Sequence, residues 1–196
     1  MIARRALKCC ATLGLLSIGL AAQAHTGQGA LGHELEFLSG VAHPFTGLDH
    51  LLAMLAVGVW ASQLWRGKAR LLAPALFLAL LLTGALVAQA AWVAPQLEAW
   101  VAASVVGFGG LLLLRESVPS ALGLLFVGLA ALVHGQAHGL ELHGAQAIGG
   151  FVLGSALLHG LGLLAGAALA RWPARLGQAF ALALTASGLV LMLSRL

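Results

Sequence analysis

The run from Leu71 to Val93 is apolar on every side apart from Thr83 and Gln89. A helix of a water-soluble domain needs a polar face recurring every 3.6 residues, and this run has none. It is long enough to cross a hydrocarbon core of roughly 30 Å, which takes about 20 helical residues. The chain is therefore read as a membrane protein. Composition agrees, since 61% of the 196 residues are hydrophobic and only 8% are charged, far from the balance of soluble domains.

Apolar segments recur along the chain at Pro44–Leu64, Leu71–Val93, Ala99–Leu114, Pro119–His138, Ala145–Ala170 and Ala174–Leu193. The expected fold class is all-α, a polytopic bundle of about six transmembrane helices, with the third segment short and borrowing residues from its flanks. Residues 1–24 carry a basic start (Arg4, Arg5, Lys8), an apolar stretch from Ala11 to Leu20 and the sequence Ala22-Gln23-Ala24. That is the pattern of a secretory signal peptide, with an uncleaved first span as the alternative. The domain reading is thus a signal peptide, 1–24, and one six-span domain, 25–196. Glycines such as Gly107, Gly109, Gly110, Gly149, Gly150 and Gly154 are dispersed through the spans, which suits close helix packing.

Charge orients the bundle. With residue 25 outside, the loops after spans one, three and five face the cytoplasm, and these carry Arg66, Lys68, Arg70, Arg115, Arg171 and Arg175. The outer loops near Pro95–Glu98 and Gly139–Gly144 carry no Lys or Arg, as the positive-inside rule requires, and Arg195 alone falls on the outer side. The expected location is the bacterial inner membrane, multi-pass, with the mature N-terminus periplasmic. Cys9 and Cys10 both lie in the signal segment, so the mature chain holds no thiol. Disulfides, thiolate zinc sites and iron–sulfur clusters are excluded, and any metal is held by nitrogen and oxygen. Without the signal segment seven basic residues face six acidic ones, a balance that gives no reason to expect nucleic acid as a partner. The bilayer is the expected partner, and a homo-oligomer is compatible with the sequence but not specified by it.

Against this apolar background, polar residues in the spans stand out. In His43-Pro44-Phe45-Thr46-Gly47-Leu48-Asp49-His50, proline suits the first turn of a helix, so the first span is expected to start at Pro44. His43 then precedes it, His50 lies nearly two turns on along the same face, and Asp49 sits roughly 8 Å inside at ~1.5 Å per residue. A carboxylate near the centre of a span costs about 3 kcal/mol to insert, so it needs a partner. His, Asp and His within eight residues suit a divalent transition metal, although Asp49 and His50 that merely bridge helices by hydrogen bonds are the plainer alternative.

The second such segment runs from His134 to His143. His134 and His138 are four apart and share one helix face, a spacing at which two imidazoles can hold one ion. Glu141 and His143 fall at or just beyond the helix end. His159, near the middle of span five, is either a helix-to-helix hydrogen bond or the next ligand inward. His25, with a free α-amino group after cleavage, and the nearby His33, Glu34 and Glu36 offer a capture site or simply a polar N-terminus.

The elements His43-Pro44-x-x-Gly47-x-Asp49-His50 and His134-Gly135-x-Ala137-His138-Gly139-x-Glu141 resemble the two signatures of the HupE/UreJ family of nickel and cobalt permeases, associated with hydrogenase and urease maturation. The resemblance spans essentially the whole chain. It implies uptake of Ni²⁺, or Co²⁺, with His43, Asp49, His50, His134, His138 and Glu141 as functional positions and the metal as transported substrate, not as a cofactor. Gln136 stands where many relatives carry another His, and His143 where a Pro is common. No Walker-A sequence is present to hydrolyse ATP. Two rivals remain at this level, neither of them a transporter. One is a membrane-embedded zinc hydrolase with Asp49 or Glu141 activating water, and the other is a haem-binding electron carrier.

Overall fold

A glycine in extended conformation breaks the first apolar segment in two. The computed structural model describes residues 30–90 and 92–195, so the segment read as a signal peptide, 1–24, with Cys9 and Cys10, and the expected capture position His25 lie outside the described residues. Helix α1 (Ala30–Thr46) ends at Gly47, whose φ of −89° and ψ of 117° stop the helical path, and α2 (Leu48–Leu64) leaves at an angle of 81°. Pro44 therefore closes one helix instead of opening the next. It sits in the last turn of α1, where its missing N–H and restricted geometry disturb little of the helix that follows. The Thr46 hydroxyl donates to the His43 carbonyl at 2.7 Å, satisfying one of the carbonyls a helix end leaves open. The expected helix starting at Pro44, with His43 just ahead of it and His50 on the same face, is thus corrected to two helices meeting at an elbow, His43 in the first and His50 in the second.

The remaining elements are a 3₁₀ turn (Gly67–Leu71) leading into α3 (Leu72–Gln89), then α4 (Leu97–Leu113), α5 (Ser120–Glu141), α6 (Ala145–Leu169) and α7 (Ala174–Leu193). All described elements are helical, so the all-α class holds. Pro119 and Pro173 immediately precede α5 and α7, with φ already set near the helical value. By length and apolarity α3 with its leading turn, α5, α6 and α7 can each cross a membrane, and the bent α1–α2 pair makes a fifth span. Helix α4 has 17 residues, about 26 Å at ~1.5 Å per residue. It takes Leu97 and Glu98 from its leading flank, and Gln96, with a left-handed φ of 54°, stops it there. The expected count of six rests on this short helix.

From His33 to Leu196 the chain forms one unit. Helix α3 packs most extensively on α5, α2 on α6 and α4 on α7. Glycines set these approaches. A Cβ at Gly135 would strike the backbone carbonyl of Leu81, and one at Gly58 the carbonyl of His159. Met54, Trp60, Phe77, Leu81, Phe108 and Leu158 fill the interior, while Leu125, Leu129, Leu157, Leu161 and Leu164 face outward, as helices in lipid allow. Gly135→Ala is expected to destabilise the α3–α5 pair by about 1–3 kcal/mol through overpacking. Gly110, where a Cβ meets nothing within 4 Å, is the matched control. Thermal unfolding of the two alanine variants in detergent should separate them, and equal transitions would contradict this packing.

The arginine-bearing loops meet at one end of the bundle, where Arg66, Arg70, Arg115 and Arg171 line a common cavity. This is the grouping that the charge reading requires. A single cysteine at Lys68, which is exposed, should resist a membrane-impermeant thiol reagent in intact cells and react after lysis. Labelling from outside would overturn the orientation.

Candidate metal centre

At the other end, α1, α2 and α5 bring the two histidine segments together. His134, His138 and Glu141 lie on one face of the last turns of α5, as their spacing of four and three requires. Asp49 is not 8 Å along a span but in the first turn of α2, beside the elbow, and it is nonetheless only 5% exposed. An acid there meets the positive end of its own helix, and its Oδ1 accepts the His50 backbone N–H at 2.7 Å.

His43, His138 and Glu141 form the outer layer. His43 Nε2 lies 2.8 Å from His138 Nδ1 and 3.0 Å from Glu141 Oε2, and these last two are 3.1 Å apart. Three ligand atoms from two helices thus converge in a set able to hold a metal ion. Nitrogen and oxygen ligands sit ~2.1 Å from such an ion, so neighbouring ligands are about 3.0 Å apart around an octahedral ion and about 3.4 Å around a tetrahedral one. The observed separations, 2.8 to 3.1 Å, are those of hydrogen bonds among the three groups and put all three within reach of one ion. His138 Nε2 is buried without a partner, and its ring lies 3.7 Å, centre to centre, from that of His50.

His50 and His134 form the inner layer. His50 donates from Nδ1 to Asp49 Oδ1 at 2.8 Å, which leaves its Nε2 bare. The Ser104 hydroxyl donates to the Val101 carbonyl one turn back, at 2.7 Å, a bond that helix serines commonly make. The same Ser104 oxygen lies 2.7 Å from His134 Nε2, and His134 Nδ1 lies 2.9 Å from His50 Nε2. The His134 ring proton can sit on either nitrogen, so this last contact is a hydrogen bond in one tautomer and a pair of open ligand atoms in the other, and both rings are buried.

His159 lies apart from the cluster. It donates from Nδ1 to the Met54 carbonyl at 2.9 Å, so it does bridge α6 to α2, while its Nε2 is buried without a partner. The Phe77 ring stands 5.0 Å from His159 and 5.9 Å from His134. His143 and His33 are exposed. Gln136 turns away from the histidines, its Oε1 accepting the Ala94 N–H at 3.0 Å.

Ser104, Phe77, Arg195 and Glu98, none of them read from the sequence as a site residue, join the centre. Ser104 holds the His134 ring at 2.7 Å, and Phe77 stands between the inner layer and His159. Arg195 reaches back from the end of α7 to Asp49 Oδ2 at 2.5 Å and to Glu98 Oε2 at 3.3 Å. The guanidinium lines a cavity of about 250 Å³ together with His43, Asp49, His50, His138 and Glu141. Its signal was present in the sequence, since Arg195 is the one basic residue placed on the acidic side.

This arrangement can be set beside known proteins. The family model described as HupE / UreJ protein matches residues 13–191. The chain belongs to the HupE / UreJ family. A curated member, "Protein HupE" of Rhizobium leguminosarum bv. viciae, is 36% identical over 156 residues, covering 78% of this chain and 79% of the relative. No solved structure matches the chain. The match contains both histidine segments of this HupE / UreJ member and the helices α1, α2 and α5 that carry them, whereas Arg195 falls beyond it.

Proposed function

We propose that the chain is a permease, not an enzyme, that takes up a divalent transition metal, Ni²⁺ first and Co²⁺ second, across the bacterial inner membrane to supply hydrogenase or urease maturation. The observation that carries this reading is the two-layered cluster. An outer triangle of His43, His138 and Glu141 stands over an inner pair of imidazole nitrogens, on His50 and His134, 2.9 Å apart. Sites stacked in depth suit an ion that is captured, partly stripped of water and handed on. His138, with one nitrogen in the triangle and its ring against His50, links the two layers, and His159 is the next imidazole inward. Raw affinity would favour Cu²⁺ over Ni²⁺. The choice of nickel and cobalt rests on the family signatures.

A zinc hydrolase would use a similar pair of His and a carboxylate, but it needs one fixed site with an open position and has no use for a second layer. The test is uptake of ⁶³Ni²⁺ by cells expressing the chain, competed by Co²⁺ and by Zn²⁺. Co²⁺ is expected to compete more strongly than Zn²⁺. Uptake no greater than in cells lacking the protein would remove the proposal.

A further inference from the structure

The end of the bundle remote from the histidines holds a cavity of about 810 Å³ whose lining includes Arg66, Arg70, Arg115 and Arg171 together with Trp65 and Trp172, and no Asp or Glu. Arg115 pairs only with its exposed neighbour Glu116, at 3.2 Å. Among the described residues, Arg66, Arg70 and Arg171 make no side-chain hydrogen bond or ion pair. The positive-inside rule accounts for basic residues on this side of the chain. It does not account for four of them, from three separate loops, lining one concave space. Like charges so gathered repel each other unless an anion joins them.

We propose that this cavity binds a phosphate-bearing anion. Guanidinium groups fork onto phosphate oxygens in pairs, which ammonium groups cannot do. The first turn of the 20-residue helix α7 contributes Ala174 to the lining and has no side-chain cap, so its free amides add donors of the same polarity. Trp65, held edge-on against Trp60 at 5.2 Å, and Trp172 are placed as interfacial anchors are. That puts the cavity at headgroup level, where an anionic phospholipid is one source of the phosphate and a soluble phosphate compound the other. A bound anion also changes what a departing cation meets, since the unpaired guanidiniums of Arg66, Arg70 and Arg171 would oppose its exit.

The test uses the purified full-length protein and a variant in which Arg66, Arg70 and Arg171 are each replaced by Lys. This keeps every positive charge, and with it the topology, while removing the forked recognition. Binding of short-chain phosphatidylglycerol, of phosphatidylcholine and of inorganic pyrophosphate is followed by native mass spectrometry. The native protein is expected to retain phosphatidylglycerol or pyrophosphate over phosphatidylcholine, and the variant, with an unchanged unfolding temperature, to bind about tenfold more weakly. Retention of phosphatidylglycerol that pyrophosphate does not displace identifies a lipid headgroup. Retention of pyrophosphate alone identifies a soluble ligand, and mutual displacement shows that the phosphate itself is recognised. Equal binding by the native and lysine proteins, or no preference over phosphatidylcholine, overturns the proposal.

Discussion

Replacing Asp49 by Asn is expected to abolish metal uptake while the protein still inserts and accumulates. The substitution keeps the size, and the amide oxygen can still accept from the His50 backbone and ring, so the elbow should hold its shape. What disappears is the charge. Without it the Arg195 guanidinium, now 2.5 Å from a carboxylate oxygen, stays in the cavity with only Glu98 to answer it. An arriving cation would then face that guanidinium and neutral imidazoles. With the one carboxylate beside the inner histidines gone and a guanidinium left facing the ion, metal binding is expected to weaken roughly a hundredfold or more. ⁶³Ni²⁺ uptake at matched protein levels is the measurement. Normal uptake by Asp49→Asn together with a dead His143→Ala would move the chemistry to the exposed outer loop.

The residues of this centre were legible in the sequence, but its geometry was not. Polar side chains in a background of leucine and alanine are conspicuous, and the spacing of His134, His138 and Glu141 specified their common face because that stretch is one uninterrupted helix. The first segment misled because Pro44 is compatible with either end of a helix. Only the extended conformation at Gly47, which no periodicity records, places His43 and Asp49 on different helices. Ser104 looks like any small polar residue in a span, and its role exists only through His134, thirty residues away. Phe77 is one more apolar residue in the most apolar helix. Arg195 was visible as an exception to the charge rule, yet its partner on α2 is a consequence of how α7 packs on α4 and not of any local pattern.

Arg195→Gln is expected to lower the KM for metal by about tenfold and to slow turnover. In the resting protein the guanidinium occupies the Asp49 oxygen that His50 leaves free, so the metal must compete with a tethered cation for this carboxylate. The pair is partly open to solvent on the arginine side, with the Arg195 side chain 24% exposed against 8% for Asp49. Its strength should therefore fall between an exposed pair and a fully buried one, near 1.4 kcal/mol or a factor of about ten. Tighter capture without the competitor also means slower release. Concentration-dependent uptake separates this from a positioning role, for which KM would rise. In the Asp49→Asn background, Arg195→Gln should restore part of the lost metal binding, because it removes the guanidinium that residue 49 no longer neutralises, so the two effects are not additive.

Uptake by the purified chain in liposomes isolates the central claim from every other cellular component. Vesicles carrying the protein and an internal chelator are expected to accumulate ⁶³Ni²⁺ above protein-free vesicles, with Co²⁺ competing and with Asp49→Asn vesicles at the protein-free level. If the vesicles accumulate no Ni²⁺ while the reconstituted protein holds Zn²⁺ in a fixed stoichiometry and hydrolyses a substrate, the layered histidines form a catalytic centre and the transport account is wrong.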